Sequence, residues 1–239
     1  MPETRLRRYK KDAPHSYTFG VFPTLELLTH RPELALQVVI HPKGERNQGV
    51  EKIRRLCHQG EIPCSVQEKA FSRLGARDND FALAVFAKEE SRLDEQADHL
   101  LLYQPAGRGN LGTIMRTMLG FGLRDLAIIR PAADPFHPET VRASMGALFQ
   151  LRLAQFDTFE AYRSRFDRPL TLLMTDGETS LPDADWPSPV TLVFGPEGAG
   201  LPPQFRAYGQ TVRIPQSGAI DSLNLAIAVG VTLYQRHLA

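Results

Sequence analysis

What constrains this chain most is an alternation. Eight short aliphatic runs, at residues 34–40, 62–66, 81–87, 99–103, 125–129, 170–174, 190–194 and 211–214, are separated by segments whose apolar residues fall at helical spacing or whose ends carry helix signals. The runs have strand length and are bounded by turn residues, and helices are predicted at 23–30, 47–58, 68–74, 110–121, 138–144, about 158–166 and 222–237. Asn47 suits the cap of one helix and Gly60 its stop, while Pro138 suits a first turn. Strands that alternate with helices predict an α/β fold with a parallel sheet. Ligands of open parallel sheets lie beyond the carboxyl ends of the strands, so chemistry is expected in the loops after Tyr103, Met174, Phe194 and Ile214. The last helix is apolar nearly all round and is expected to be buried on several sides.

The 239 residues suit one or two domains. Residues 88–98 carry seven ionisable side chains in eleven without apolar periodicity, which marks a boundary. The division expected is a basic arm at 1–16, a smaller α/β domain at 17–88, a linker at 89–98 and a larger domain at 99–239. Net charge over the chain is only +1, but Arg5, Arg7, Arg8, Lys10 and Lys11 stand against Glu3 alone in the arm. Such an arm suits a polyanion; a solvated, fraying terminus is the plain alternative. A hydrophobic fraction of 42% excludes disordered and collagenous classes. The longest strongly apolar uncharged run, 222–235, is shorter than the roughly 20 residues of a membrane span, so a soluble, cytoplasmic protein is expected. Cys57 and Cys64 form no C-x-x-C pair and read as core thiols in a reducing compartment. The seven histidines show no paired ligand spacing, so no metal site is expected.

One glycine motif points elsewhere. Gly107-Arg-Gly109-Asn-Leu-Gly112 has the G-x-G-x-x-G form, follows a predicted strand and opens a helix, as a dinucleotide fingerprint would. Against it, Gln104-Pro-Ala106 delays the first glycine, and the next strand ends in Arg130 rather than the acid that holds a ribose. An NADP-dependent oxidoreductase, with Arg130 on a phosphate, stays open as a minor reading.

The same helix start belongs to a second pattern. Asn110-Leu-Gly112-Thr-Ile-Met-Arg116 is followed in order by Leu192-Val-Phe-Gly195-Pro-Glu197-Gly198-Ala-Gly200-Leu201 and by Ile214-Pro-Gln-Ser-Gly218-Ala-Ile-Asp-Ser222-Leu223-Asn224. Together these resemble the three motifs of the SPOUT methyltransferases, in the SpoU/TrmH branch that methylates ribose 2′-hydroxyls of RNA. Arg142-Ala-Ser144-Met-Gly146 adds a supporting match. The segment Phe19-Gly-Val21 and the unit ending Asp80-Phe-Ala-Leu-Ala-Val resemble the ribosomal-protein-like substrate-binding domain found ahead of many family members.

The resemblance implies a parallel-sheet carboxyl-terminal domain with a deep trefoil knot, a homodimer with its active site near the subunit interface, and S-adenosylmethionine as cofactor. It implies ribosomal or transfer RNA as the substrate. It assigns Thr175, Gly195, Gly200, Ile214, Ser222 and Leu223 to the cofactor, and Arg116, Asn110, Glu197, Ser222 and Asn224 to catalysis. A guanidinium keeps its proton above pH 12, so the conservative role for Arg116 is to grip phosphate and stabilise a developing alkoxide. Asn110 and Arg116 are expected to face the cleft together, with Glu197 pairing Arg116 or orienting the arginine of an opposing protomer. On propensity alone Asp221 and Ser222 would simply be N-cap residues. The relatives' acidic or Asp-Pro element before the first motif is absent here, where Ala106-Gly-Arg-Gly109 stands, and Pro196 replaces an asparagine before the glutamate. A catalytically silent RNA-binding or ribosome-associated protein of the same fold is the alternative from another class.

Overall fold

The computed structural model describes residues 6–238, so the first five residues of the basic arm lie outside the described residues. Two compact units emerge: one holds the chain up to Glu89 together with Asp134–Gln150, the other Glu90–Ala133 and Leu151 onward. The chain leaves the second unit and returns to it, so one cut does not separate them.

The first unit contains β1 (His15–Phe19), α1 (Val21–His30), β2 (Ala35–Ile40), α2 (Gln48–Gln59), β3 (Cys64–Val66), α3 (Glu68–Leu74), β4 (Ala82–Ala87) and, from the later segment, α5 (Pro138–Ala143). Its sheet has the order β1-β4-β2-β3, antiparallel at β1/β4 and β4/β2 and parallel only at β2/β3. The three strands read from the sequence are joined here by a fourth, β1, and the sheet is mixed. Strand β4 runs against both β1 and β2, and β1 itself went unread because its fully buried Ser16 and Thr18 leave it without an aliphatic signature. Their hydroxyls are satisfied internally: Ser16 donates to the Phe136 carbonyl, and Thr18 meets the Thr24 hydroxyl at 2.7 Å and accepts from Ala84 N–H at 2.9 Å. Asn47 caps α2 as expected, its side chain accepting from Gly49 and Val50 N–H. The later segment is tied in by an Arg142–Asp80 ion pair, an edge-to-face Phe86–Phe149 contact and a Gln150–Glu26 hydrogen bond. From residue 6 the arm is anchored rather than fraying, since Leu6 and Tyr9 pack on the core and Lys88 donates to the Tyr9 hydroxyl at 3.1 Å.

The second unit contains β5 (His99–Tyr103), α4 (Arg108–Gly120), β6 (Asp125–Ile129), β7 (Arg152–Phe156), α6 (Phe159–Arg163), β8 (Leu170–Leu173), β9 (Thr179–Ser180), β10 (Thr191–Phe194), β11 (Gln210–Arg213) and α7 (Leu225–Leu238). Its seven strands, ordered β7-β6-β5-β10-β8-β11-β9, are parallel throughout. Fully buried leucine, isoleucine and valine on β5, β6 and β10 explain why these strands were readable as unbroken apolar runs. The charged stretch read as a linker is bonded along this unit: Ser91 N–H donates to Leu153 at 2.7 Å, Leu93 is buried, and Asp94 N–H donates to Asp125 at 2.8 Å.

Helix α7 departs from expectation at both its start and its faces. It begins after Asn224, whose side chain accepts from Ala226 N–H at 2.9 Å, so Asn224 is the cap and Ser222 lies outside the helix. It buries Leu225, Ala226, Val229, Thr232 and Leu233, but Ile227, Val231, Tyr234 and Leu238 are exposed at helical spacing. One face of this helix is therefore apolar and uncovered. No helix among the described residues is long and apolar enough to cross a membrane.

Candidate functional site

A cavity of about 440 Å³ opens in the second unit beyond the carboxyl ends of β8, β10 and β11. This is where a parallel sheet places its ligands. Thr175, Gly195, Glu197, Gly200, Ile214, Ser222 and Leu223 all line it, so each residue assigned to the cofactor and two of those assigned to catalysis share one pocket. Sequence reasoning did not find Asp176 and Arg206, which form an ion pair at the wall. No motif announces Arg206, whose short 3-10 turn reaches the pocket through tertiary packing alone.

Gly195 supports the pocket in a different way from that expected. A Cβ there would stand 2.3 Å from the Gly200 carbonyl carbon and 2.4 Å from Leu201 N. The glycine lets the loop fold back on itself, and the open space belongs to Gly198 and Gly200, where a Cβ would meet nothing within 4 Å.

The three motifs meet through a polar network beside the pocket. The Glu197 carboxylate accepts from Ala106 N–H at 3.0 Å, Gly107 N–H at 2.9 Å and the Asn110 amide at 3.1 Å. Asn110 Oδ1 in turn accepts from the Asn224 amide at 3.1 Å, while Asn224 Oδ1 caps α7. Burial pushes the Glu197 carboxyl upward, but the Ala106 amide, the Asn110 side chain and the Gly107 amide outweigh it and hold the group below its ordinary range. Glu197 is an ionised brace joining the loop after β10 to the amino end of α4.

That brace corrects two expectations. Glu197 does not pair with Arg116, and Arg116 does not line the pocket. Six residues along a helix turn through roughly 600°, leaving Arg116 about 120° away from Asn110 around the axis. Arg116 instead joins Gly109, Thr113 and Gly120 on the exposed face of α4 and makes no ion pair or hydrogen bond with any described residue. The brace also closes the oxidoreductase reading. The backbone amides that a pyrophosphate would need at this helix start are already held by a carboxylate of the chain itself.

A parallel α/β unit with a glycine-walled pocket at its strand ends, beside a brace of Asn110, Glu197 and Asn224, defines a ligand-binding domain. The chain belongs to the SpoU rRNA Methylase family, whose model matches residues 98–234. It is similar to the 23S rRNA (uridine(2479)-2′-O)-methyltransferase of Streptomyces viridochromogenes, 34% identical over 62% of this chain and 56% of that protein. The match thus spans little more than half of that relative's length. Similarity to the 23S rRNA (guanosine-2′-O-)-methyltransferase of Acinetobacter baylyi is 28% and covers 93% of this chain and 97% of that one. Among solved structures, the AdoMet-bound rRNA methyltransferase of Sinorhizobium meliloti aligns with a TM-score of 0.79 at 28% identity, covering 94% of this chain and 87% of its own.

Proposed function

We propose that the chain is an S-adenosylmethionine-dependent methyltransferase that modifies ribose 2′-hydroxyls of ribosomal or transfer RNA. The observation that carries this reading is the convergence of six residues of the second and third motifs, with Thr175, on one pocket at the strand ends. Backbone groups around Gly195, Ile214 and Leu223, with Thr175 and Ser222, would hold the cofactor, and the pocket's small residues leave room for it. When bound, the cofactor's sulfonium supplies an already activated methyl group, so the protein's task is orientation. Glu197 and Asn110 act as positioning residues: they fix the start of α4 and link it to the cap of α7.

Arg116 is the residue that would touch substrate. Its exposed guanidinium is available to grip an RNA phosphate in bidentate fashion and to stabilise the alkoxide that forms at the ribose oxygen. Because Arg116 lies off its own pocket, it would serve the pocket of a second copy. The uncovered apolar stripe of α7, Ile227, Val231, Tyr234 and Leu238, is the surface through which we place that homodimer. By the same family reading, the carboxyl-terminal domain carries a deep trefoil knot. The first unit would hold the RNA with the help of the basic arm, and the enzyme would work in the cytoplasm.

Complementation tests the shared site. Arg116→Ala and Gly195→Ala chains, each inactive alone, are mixed and their subunits exchanged. If the arginine works across the interface, mixed dimers contain one sound site of two, and about a quarter of wild-type activity returns. No recovery with confirmed exchange would place Arg116 in its own protomer's chemistry or outside the reaction.

A further inference from the structure

The two cysteines do not line the pocket, and the structure corrects their reading as two core thiols. Cys57 sits in the last turn of α2 and is 2% exposed, whereas Cys64 opens β3 and is exposed. The turn between them folds back tightly. Gly60 N–H donates to the Leu56 carbonyl at 3.0 Å and Ile62 N–H to the Cys57 carbonyl at 2.8 Å. On the strand side, Val38 N–H donates to the Pro63 carbonyl at 2.8 Å, and Val38 pairs with Cys64 in register. Both ends are thereby fixed, which leaves the two thiols close enough to perturb one another through a shared hydrogen bond. Arg54, three residues before Cys57 on the same helix, adds positive charge beside Cys64.

We propose that Cys57 and Cys64 are a redox-active thiol pair that oxidises reversibly to an intramolecular disulfide, stapling the last turn of α2 to the edge strand β3. The division of labour follows from their surroundings. The bond with Cys57 comes first and Arg54 further helps, against the opposing effect of burial, to hold the Cys64 thiol down to about 7. The same bond and burial push Cys57 up. The exposed sulfur is the attacking thiolate and the buried one the resolving thiol. With a peroxide as oxidant, the Cys64 thiolate attacks one oxygen and expels hydroxide, leaving a sulfenic acid. Cys57 then gives up its proton and attacks the Cys64 sulfur, expelling a second hydroxide. In sum, two thiols and one hydrogen peroxide become one disulfide and two waters. Because β3 pairs only with β2 among the described residues, the staple would tie down this edge of the first sheet.

The test treats the full chain with one equivalent of hydrogen peroxide, blocks remaining thiols with iodoacetamide and reads the intact mass. The proposal predicts that oxidised wild type takes no label, is about 2 Da lighter than the reduced chain, and recovers its labelling after dithiothreitol. Cys64→Ser, a change at an exposed position, should show no such loss of mass. Cys57→Ala should stop at oxygenated Cys64 or cross-link between chains. Wild type that accumulates oxygenated Cys64, or that cross-links through Cys64 while Cys57 stays free, would overturn the proposal.

Discussion

Two glycine-bearing stretches follow parallel strands in the second unit, one at residues 107–112, where a loop runs into the first turn of α4, and one at 195–200, and they use glycine for different ends. At the first, the space where a Gly107 Cβ would stand holds the Glu197 carboxylate at 2.7 Å, and the amides of Ala106 and Gly107 are spent on that carboxylate. At the second, Gly195 lets the loop double back against Gly200 and Leu201, and the wall so formed bounds an open cavity. The first loop carries the letters of a nucleotide fingerprint yet serves as a docking point for the second. A glycine pattern reports where backbone comes close to something; whether that something is a ligand or another part of the chain depends on contacts distant in sequence.

The comparison can be broken most severely at Gly195. Gly195→Ala forces a methyl group into backbone atoms and should lower donor affinity on the order of a hundredfold, read by titration calorimetry. Retained affinity would mean that the loop's doubling back does not shape the pocket. Next comes the brace. Glu197→Ala leaves two amides and the Asn110 side chain without their acceptor and should cost about 2 kcal/mol in denaturant unfolding.

A gentler variant sharpens the same point through pH. Since the folded-state pKa of Glu197 is depressed, its stabilising contribution is present above the ordinary carboxylate value. It is lost as pH falls from there through the folded value. Glu197→Gln should therefore flatten part of the acid-side decline in stability while leaving the neutral-pH slope unchanged; an unaltered acid limb would show that the carboxylate is not the brace. The smallest effect is expected at Gly109, where a Cβ meets nothing within 4 Å. Gly109→Ala on this exposed helical position should raise stability by up to about 1 kcal/mol in the same unfolding assay, and a loss would reveal a hidden contact.

How much of this could be read in advance depended on whether the signal was local. Strands β5, β6, β8 and β10 announced themselves because leucine, isoleucine and valine dominate their buried positions, whereas β7 (Arg152–Phe156) and β9 (Thr179–Ser180) carry no such run and went unread. The pocket residues were legible because their motif order survives in one dimension. By contrast, β1 was hidden by Ser16 and Thr18, whose burial depends on partners such as Phe136 and Ala84, far along the chain. The attachment of Asp134–Gln150 to the first unit was equally invisible, because Arg142 meets Asp80 across 62 positions. The error at Arg116 was of another kind. Helical spacing was available in the sequence, and counting the turn angle from Asn110 would have placed the guanidinium about 120° around the helix from the brace. Asn224 rather than Ser222 caps the helix, and its amide also reaches Asn110, a contact that propensity cannot weigh.

The most direct measurement incubates the chain with S-adenosylmethionine labelled in its methyl group and with ribosomal and transfer RNA, digests the RNA to nucleosides and locates the label. The account predicts label on a ribose 2′-oxygen of a single nucleotide, lost in Arg116→Ala. Label confined to a base, or ribose methylation undiminished in that variant, would contradict it.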